Sequence, residues 1–506
     1  MVNLGVFVFL TAPVLSVVCS ARSVPVQARE SPEAERIQRL IEQYAAVGRF
    51  DGVIAVARKG EPVYSGAFGL AHREFGVPCT LTTRFQIGSI TKTFTAMMVL
   101  RLVDRGLLSP EDTLADLLPD HAFPRAGEIT IERLLTHTSG LQRDIADYPP
   151  GTNQFPDRVA KINADFFSLD EQVKLIAVRP LAHAPGERYD YSSDGYSVLG
   201  LSVARMLETS YAGALQQEIL GPLAMGDSGY VPQTTLLQDR ATGYLQTFDG
   251  FEVARPLGIS PAGGMYSTVG DLLLVDRALF GEALLSAAAK ARAWAPSAFI
   301  TAYGWKVRPD PTAPAPGSLL INASGSLTGF YSLFTRTLDD GLCVILLSNV
   351  KGPSFHLDAI TDGVLAILRG REPMAPRRSA ALELAALLGS QGTAASFEAW
   401  RGWSATGFSE HYVSESELNA LGCRWLPQDA ARAAAVFRAT AERFAESPNA
   451  HDSLGEALEG MGELEAARTS IARAVELARQ TKHPDLAAYE QHLATVERKL
   501  GPPKKP

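Results

Sequence analysis

A serine and a lysine three residues apart, Ser89 and Lys92, are the residues of this chain best suited to nucleophilic chemistry. They precede an apolar run, Phe94 to Val103, whose composition predicts a buried helix that ends at Gly106. On such a helix the hydroxyl and the ammonium lie on the same side, about 5–6 Å apart by Cβ, so the ammonium can stabilise the alkoxide. The same spacing also arises by chance, as a capping serine followed by a surface lysine. The apolar setting of Lys92 favours the chemical interpretation, because an unpaired buried ammonium is costly.

Two polar segments are predicted to lie beside further helices. Residues 189–196 are rich in hydroxyls and precede a helix predicted over 197–207, which suits the wall of an active site. An aromatic turn with no chemical role is the alternative. Residues 129–141 predict a helix that closes in a polar, glycine-ended turn, and we interpret His137 as holding this turn together by hydrogen bonds rather than as catalytic.

Composition excludes several classes of protein. The chain has 506 residues, 46% of them hydrophobic, and a net charge of −8, which argues against a nucleic-acid partner. The histidines show no zinc-binding spacing, so no metal and no cofactor are predicted. The four cysteines are widely spaced and do not imply a disulfide framework.

The first 28 residues are predicted to be an export signal. Leu4 to Val18 is apolar, too short to span a bilayer comfortably, and followed by small residues and Arg22. We therefore expect a periplasmic or secreted protein with no transmembrane segment in the mature chain. Cys19 is an alternative site of lipid attachment, although Val18 before it suits that processing poorly.

The C-terminal quarter differs in composition from the rest. After a catalytic region predicted over residues 29–370, residues 371–380 are predicted to be a linker, and residues 381–506 are rich in Ala, Leu, Glu and Arg. Leu421-Gly422 and Leu454-Gly455 lie 33 residues apart, and each is predicted to open a helix pair of similar length. We interpret this as about two tetratricopeptide-like repeats that pack on the catalytic region or bind a protein partner.

Several segments together resemble the serine β-lactamase and penicillin-binding-protein superfamily, in its class C-like branch. The resemblance covers roughly residues 37–370 and rests on segments in the family's order: 85–92 (Phe-Gln-Ile-Gly-Ser-Ile-Thr-Lys), 134–141 (Leu-Leu-Thr-His-Thr-Ser-Gly-Leu), 191–196, 261–268 (Pro-Ala-Gly-Gly-Met-Tyr-Ser-Thr) and 329–332. It implies an α/β fold of the α+β type. An antiparallel sheet would be flanked by helices, with an all-helical subdomain and, in this chain, the C-terminal helical repeats.

The resemblance also implies roles for matching residues. Ser89 would attack a carbonyl to form an acyl-enzyme, Lys92 would lower its pKa, and Tyr191 would act as general base and then general acid. The backbone N–H groups of Ser89 and Ser326 would bind the oxyanion. Ser193, Ser324 and Gly325 would complete the substrate-binding wall.

Two positions depart from the family's pattern. Ser193 stands where the family has an asparagine that hydrogen-bonds the substrate and the lysine. Ala323 stands where the family has lysine or histidine in its third motif, which here is Ala323-Ser324-Gly325. Because a charge-assisted hydrogen bond contributes about 1.5–3 kcal/mol, we expect poor hydrolysis of penicillins and of peptides with a free C-terminal carboxylate.

These considerations leave three hypotheses. The first is a serine hydrolase of esterase or peptidase type that acts on an ester or amide through an acyl-enzyme. The second is a degenerate binding or regulatory protein that uses its helical repeats. The third is a working β-lactamase or D-alanyl-D-alanine carboxypeptidase. Substrate specificity is expected to depend on loops such as 143–170 and 233–260.

Overall fold

The structure is a computed structural model that describes residues 31–144, 168–232, 235–255, 259–295, 301–352 and 357–501. The predicted export signal and Cys19 lie outside these ranges, as do most of loop 143–170 and parts of loop 233–260. Within the described ranges, no helix is both long enough and apolar enough to cross a membrane.

An antiparallel sheet forms the centre of the molecule. The strands are β1 (Gly52–Arg58), β2 (Glu61–Phe68), β3 (Leu70–His72), β4 (Val77–Pro78), β5 (Phe85–Gln86), β6 (Gly229–Tyr230), β7 (Tyr244–Thr247), β8 (Gly250–Val253), β9 (Met265–Ser267), β10 (Thr301–Ala302), β11 (Trp305–Pro309), β12 (Leu319–Leu327), β13 (Phe330–Thr337), β14 (Leu342–Ser348), β15 (Val350–Lys351), β16 (Arg378–Ser379) and β17 (His411–Tyr412). The main sheet has the order β10-β11-β12-β13-β14-β1-β2, with every neighbouring pair antiparallel. The fully apolar strand predicted near residues 342–347 is confirmed, since every residue of β14 is buried.

Helices cover both faces of this sheet and form the C-terminal region. They are α1 (Pro32–Ala46), α2 (Thr91–Asp104), α3 (Leu114–Leu117), α4 (Ile131–Leu135), α5 (Leu169–Ala177), α6 (Ser193–Met206), α7 (Tyr211–Leu215), α8 (Val269–Phe280), α9 (Ala287–Trp294), α10 (Leu357–Leu368), α11 (Ala380–Ser390), α12 (Gly392–Ala405), α13 (Glu415–Trp425), α14 (Ala430–Arg443), α15 (Pro448–Gly460), α16 (Leu464–Thr481) and α17 (Leu486–Leu500). The predicted α+β architecture is confirmed.

The sheet separates two cores. On one face, α1 and α10 pack against alternate residues of the central strands, among them Ile54 and Val344. On the other face lies the larger core, which contains α2, α6 and α8 together with the intervening residues Ala55 and Ile345. This alternation is the two-residue period of a strand buried on both faces.

The buried helix predicted after Ser89 is confirmed as α2. It is apolar on nearly all sides, and 11 of its 14 residues are buried. It stops at Arg105, after which Gly106 takes a left-handed conformation at φ +65°. Ser89 itself lies just before α2, in a 3₁₀ turn over Gly88–Ile90.

Two helix boundaries differ from the sequence expectation. The helix predicted over 129–141 is only α4, five residues long, because His137 and Gly140 have positive φ angles of 58° and 80°. The helix predicted over 197–207 begins four residues earlier, at Ser193, because the Ser192 hydroxyl accepts the Gly195 N–H and caps it.

The C-terminal helices form antiparallel pairs, α13 with α14 and α15 with α16, followed by α17. Each pair approaches closely at a glycine, Gly422 against Phe437 and Gly455 against Ile471. This region contacts the β7–β8 hairpin, where Phe248 packs on its core and Asp249 pairs with Arg424.

The three described cysteines are free thiols. Cys79 and Cys343 are buried, and Cys423 on α13 is exposed.

Candidate active site

The Ser89 hydroxyl lies where the start of α2 meets the end of the sheet. Gly88 before it has φ +52°, a conformation that favours glycine, and this sharp turn presents Ser89 to the surface of a cleft. The turn is fixed to the sheet because the Ser332 hydroxyl donates to Ile87 O at 2.8 Å. Ser89 Oγ lies 3.1 Å from both Lys92 Nζ and Tyr191 Oη.

Lys92 is buried, with 3% of its surface exposed, and its ammonium has an acceptor for each of its three protons. Lys92 Nζ donates to Ser89 Oγ at 3.1 Å, to Ser193 Oγ at 3.4 Å and to the carbonyl oxygen of Ala262 at 2.8 Å. The interpretation of Lys92 as a surface lysine is therefore wrong. Its aliphatic stem packs in the core while its charge is directed at the nucleophile.

Tyr191 is the second group on Ser89 Oγ. Tyr191 is followed directly by Ser192, the residue that caps the start of α6. Burial alone raises the pKa of the Tyr191 phenol, but Lys92, the hydrogen bond with Ser89 and the charge of Lys306 together bring the pKa below its ordinary value. A phenol with a lowered pKa exchanges protons more readily near neutral pH.

The sequence interpretation gave His137 a hydrogen-bonding role within its own turn; in the structure its hydrogen bonds go to the segment that carries Tyr191. Its Nδ1 accepts the Ser192 N–H at 3.2 Å, and its carbonyl oxygen accepts the Asp190 N–H at 2.8 Å. Its ring packs on the Tyr191 ring with centroids 4.6 Å apart. Burial and the charge of Lys92 lower the pKa of His137 to about 3, so the ring is neutral at neutral pH.

Strand β12 forms the wall opposite Tyr191. A Cβ built on Gly88 would lie 3.0 Å from Ser326 N, so the backbone that carries the Ser326 N–H runs beside the Ser89 turn. Gly325 packs so tightly on Ile87 that no side chain fits. Ser324 and Ala323 both line the cleft, and Ala323 also packs in the larger core.

The cleft has a volume of about 570 Å³ and brings together the residues named from the sequence. Ser89, Lys92, Tyr191, Ser193, Ser324 and Ser326 all line it, with Gly325 in the strand between the last two. The groups missed include the Ala262 carbonyl on Lys92 and the side chains of Lys306, Asn322 and Lys351 in the wall. The Pro-Ala-Gly-Gly turn was noticed in the sequence, but it carried no signal that its carbonyl faces Lys92.

Comparison with known families agrees with this geometry. The family model described as Beta-lactamase matches residues 37–367, well over half of the chain. The chain belongs to the beta-lactamase family. It has the mixed α/β fold that the family implies.

Two curated relatives of this beta-lactamase family protein illustrate its range. Esterase EstB of Burkholderia gladioli is 36% identical over 239 residues, which are 44% of this chain and 60% of EstB. Penicillin-binding protein 4* of Bacillus subtilis is 26% identical over 382 residues, which are 68% of this chain and 78% of that protein. The match to EstB thus spans less than two thirds of EstB's own length.

Solved structures share the fold of the beta-lactamase family domain. The D-amino acid amidase of Ochrobactrum anthropi SV3 in complex with D-phenylalanine superposes with a TM-score of 0.58 at 22% identity, over 67% of this chain and 99% of the amidase. The octameric penicillin-binding protein homologue of Pyrococcus abyssi gives a TM-score of 0.57 at 25% identity, over 68% of this chain and 78% of that one.

Proposed function

We propose that this protein hydrolyses carboxylic esters or amides through an acyl-enzyme on Ser89, as an esterase-type or peptidase-type enzyme. The observation that carries the proposal is the convergence of Lys92 Nζ and Tyr191 Oη on Ser89 Oγ, each at 3.1 Å. A serine hydroxyl in contact with both a cation and a proton acceptor is activated as a nucleophile, because the acceptor removes its proton and the cation stabilises the alkoxide.

In the proposed reaction, Ser89 Oγ forms a bond to the substrate carbonyl carbon while its proton passes to the Tyr191 phenolate. The carbonyl oxygen takes the negative charge and is bound by the Ser89 and Ser326 N–H groups. Tyr191 then gives the proton to the departing oxygen or nitrogen, which leaves the acyl group on Ser89. Water repeats the sequence in the deacylation step, and the ammonium of Lys92 stabilises each anionic form.

The substrate class follows from the two departures in the cleft. Ser193 Oγ reaches Lys92 at 3.4 Å, but a short hydroxyl replaces only part of an asparagine amide. Ala323 is buried and carries no charge. We therefore favour ester or simple amide substrates, with little β-lactam hydrolysis. The similarity to an esterase and the fold shared with an amidase support this choice.

The proposal extends to the rest of the chain. We place the protein in the class C-like branch and propose that residues 1–28 direct export to the periplasm or outside the cell. The helix pairs α13–α14 and α15–α16 are proposed to be tetratricopeptide-like repeats, with α17 as the final helix. Their contact with the β7–β8 hairpin favours a role in buttressing the catalytic region, and binding of a protein partner is the second role that we propose for them.

The test is intact-mass measurement after brief exposure to 4-nitrophenyl butyrate. Wild-type protein is expected to gain one butyryl group and release nitrophenol, whereas Ser89→Ala gains nothing. Ser390→Ala, which removes an exposed hydroxyl at the end of α11, is the matched control and should behave as wild type. Absence of both adduct and turnover in the wild type would contradict the proposal and favour a non-catalytic binding protein.

A further inference from the structure

The cleft contains a cation that the family pattern does not place there. Lys306 stands at the start of β11, which pairs with β12 from Pro309 opposite Leu319 to Lys306 opposite Asn322. The pairing stops at that point, and the following residues of β12 line the cleft. Lys306 therefore lies at the corner where the covered part of β12 gives way to the part that faces the substrate.

Lys306, Asn322 and Ser324 share one face of the sheet. Residues directly opposite on antiparallel strands have Cβ atoms about 4.5–5.5 Å apart on the same face, and residues two apart on one strand also share a face. All three line the cleft. Ala323 lies on the opposite face of β12, where it packs in the larger core and also borders the cleft, so Lys306 is not a simple relocation of a side chain at residue 323.

Among the residues that the structure describes, Asn322 Oδ1 and the Lys306 ammonium both lack a polar partner. The Asn322 side chain is buried, with 7% of the residue exposed, and its Oδ1 has no hydrogen-bond partner in the described part of the chain. A buried amide oxygen without a partner is costly, and in a cleft it is satisfied by water or by a bound ligand. Lys306 is exposed, and its ammonium forms no ion pair with any residue that the structure describes.

The position of Lys306 relative to Tyr191 defines the part of the substrate that it would meet. Lys306 lines the same cleft as Tyr191, and Gly304, two residues before it, packs on the backbone of Lys92, so the start of β11 lies beside the Ser89 nucleophile. The charge of Lys306 accordingly helps to lower the pKa of Tyr191. Tyr191 is the group that delivers the proton to the departing atom in the proposed reaction. The leaving group therefore extends towards Lys306.

We propose that Lys306 and Asn322 form an anchor for an anionic group on the leaving-group side of the substrate. This inference rests on the proposed hydrolase function and narrows its substrate class. In the bound state the ammonium of Lys306 donates to the anion and to Asn322 Oδ1, and the Asn322 amide N–H donates to the anion. Both unsatisfied groups then have partners.

The anchor also sets a length for the leaving group. Lys306 is one strand further from the nucleophile than Ala323, and neighbouring strands are about 4.8 Å apart. An anion held by Lys306 therefore lies farther from the reacting carbonyl than one held by a side chain at residue 323. Esters or amides with a carboxylate several bonds beyond the departing atom fit this spacing.

The test compares two butyryl esters that differ only in charge. One has 3-(3-hydroxyphenyl)propanoic acid as the leaving group, and the other has the corresponding primary amide. Wild-type kcat/KM is expected to be about tenfold higher for the carboxylate ester than for the amide. This factor corresponds to a charge-assisted hydrogen bond that is weakened because Lys306 is exposed to solvent. Lys306→Met is expected to lower kcat/KM for the carboxylate ester only, which brings the ratio of the two esters close to one. Lys306→Arg is expected to keep most of the wild-type ratio.

Lys351→Met is the matched control, because it removes another exposed cation from the same cleft but stands on β15, which pairs with β7 and not with β12. It should keep the wild-type ratio. A wild-type ratio at or below one, an unchanged ratio in Lys306→Met, or an equal fall in Lys351→Met would each overturn the anchor. Loss of hydrolysis of both esters in the wild type would instead overturn the proposed function, so the two failures are distinguishable.

Discussion

Replacing Gly325 with alanine should push apart the backbone N–H groups of Ser89 and Ser326, which form the proposed oxyanion site. A Cβ at this position would lie 1.9 Å from Ile87 O and 2.3 Å from Ser332 Oγ, whereas real Cβ contacts stay beyond 3.0 Å. Strand β12 and the turn that carries Ser89 must therefore move apart by at least about 1 Å. The clash is with backbone, so no side-chain rotation relieves it.

The expected effect on catalysis follows from this displacement. Ser326 follows Gly325 directly, and Ser89 lies two residues after Ile87, so both proposed N–H donors shift relative to each other. A misplacement of about 1 Å can lower the rate about a hundredfold, and loss of one oxyanion donor costs about 10²–10³ in kcat. We expect kcat to fall by about 10²–10³, with KM changed much less. Overpacking should also lower the free energy of unfolding by about 1–3 kcal/mol.

The assay is steady-state hydrolysis of 4-nitrophenyl butyrate beside urea unfolding at the same temperature. Gly389→Ala is the matched control, because a Cβ there meets nothing within 4 Å and the residue lies in helix α11. That variant should keep full activity and gain about 0.5–1 kcal/mol in unfolding free energy. Wild-type kcat in a folded Gly325→Ala protein would refute the assignment of the Ser326 N–H to the oxyanion site.

Three further predictions concern other parts of the molecule. The phenol of Tyr191 has a lowered pKa and acts as its base form, so kcat/KM should rise with pH to a plateau whose midpoint lies below pH 10; Tyr191→Phe should abolish this rise and most of the activity. His137→Asn should keep the left-handed backbone, and its side chain should accept the same Ser192 N–H. Urea unfolding at pH 7 and pH 4.5 should show that the variant loses less stability on acidification than the wild type. Gly422→Ala should lower the unfolding free energy by about 1–3 kcal/mol, because its Cβ would overlap the Phe437 ring, whereas Gly389→Ala should not.

The magnitude for His137 comes from proton linkage. A histidine of pKa about 6.5 in the unfolded chain is protonated at pH 4.5, while the folded ring, with its pKa lowered to about 3, is not. Stability contributed by the neutral ring is therefore complete above pH 6.5 and falls as the pH drops. The difference between pH 7 and pH 4.5 amounts to about 2–3 kcal/mol, which His137→Asn should remove.

Each of these predictions has an outcome that contradicts it. A pH profile that is unchanged in Tyr191→Phe would show that another group is the base. An equal acid sensitivity in His137→Asn and wild type would mean that His137 already carries a proton when folded. Equal stabilities of Gly422→Ala and Gly389→Ala would show that α13 and α14 do not pack as closely as the structure describes.

The chemistry that could be read from the sequence is local. Ser89 and Lys92 lie within one helical turn, so their spacing alone fixes their proximity, and the apolar run that follows identifies the buried helix. The extent of α4 was overestimated because its apolar pattern continues past Leu135. The left-handed backbone of His137 ends the helix there, and nothing in the pattern of residues 129–141 indicates that conformation.

The non-local part of the site could not be read in this way. Lys306 and Asn322 are neighbours only through the register of β11 on β12, and a shift by one residue would place them on opposite faces. The Ala262 carbonyl reaches Lys92 across 170 positions of the chain. Strand register and loop path decide both contacts, and neither follows from composition or spacing.

The free thiols described above have a practical consequence for experiments. With Cys79, Cys343 and Cys423 all unpaired, their contribution to folding does not depend on oxidation, and reducing agents can be present in every assay. Cys423 is the exposed thiol among them and lies on the helical region, so it offers an attachment point for a fluorescent reporter. Because partial burial and the nearby charge of Glu456 raise the pKa of Cys423, maleimide coupling should be slow at neutral pH and should accelerate as the pH increases.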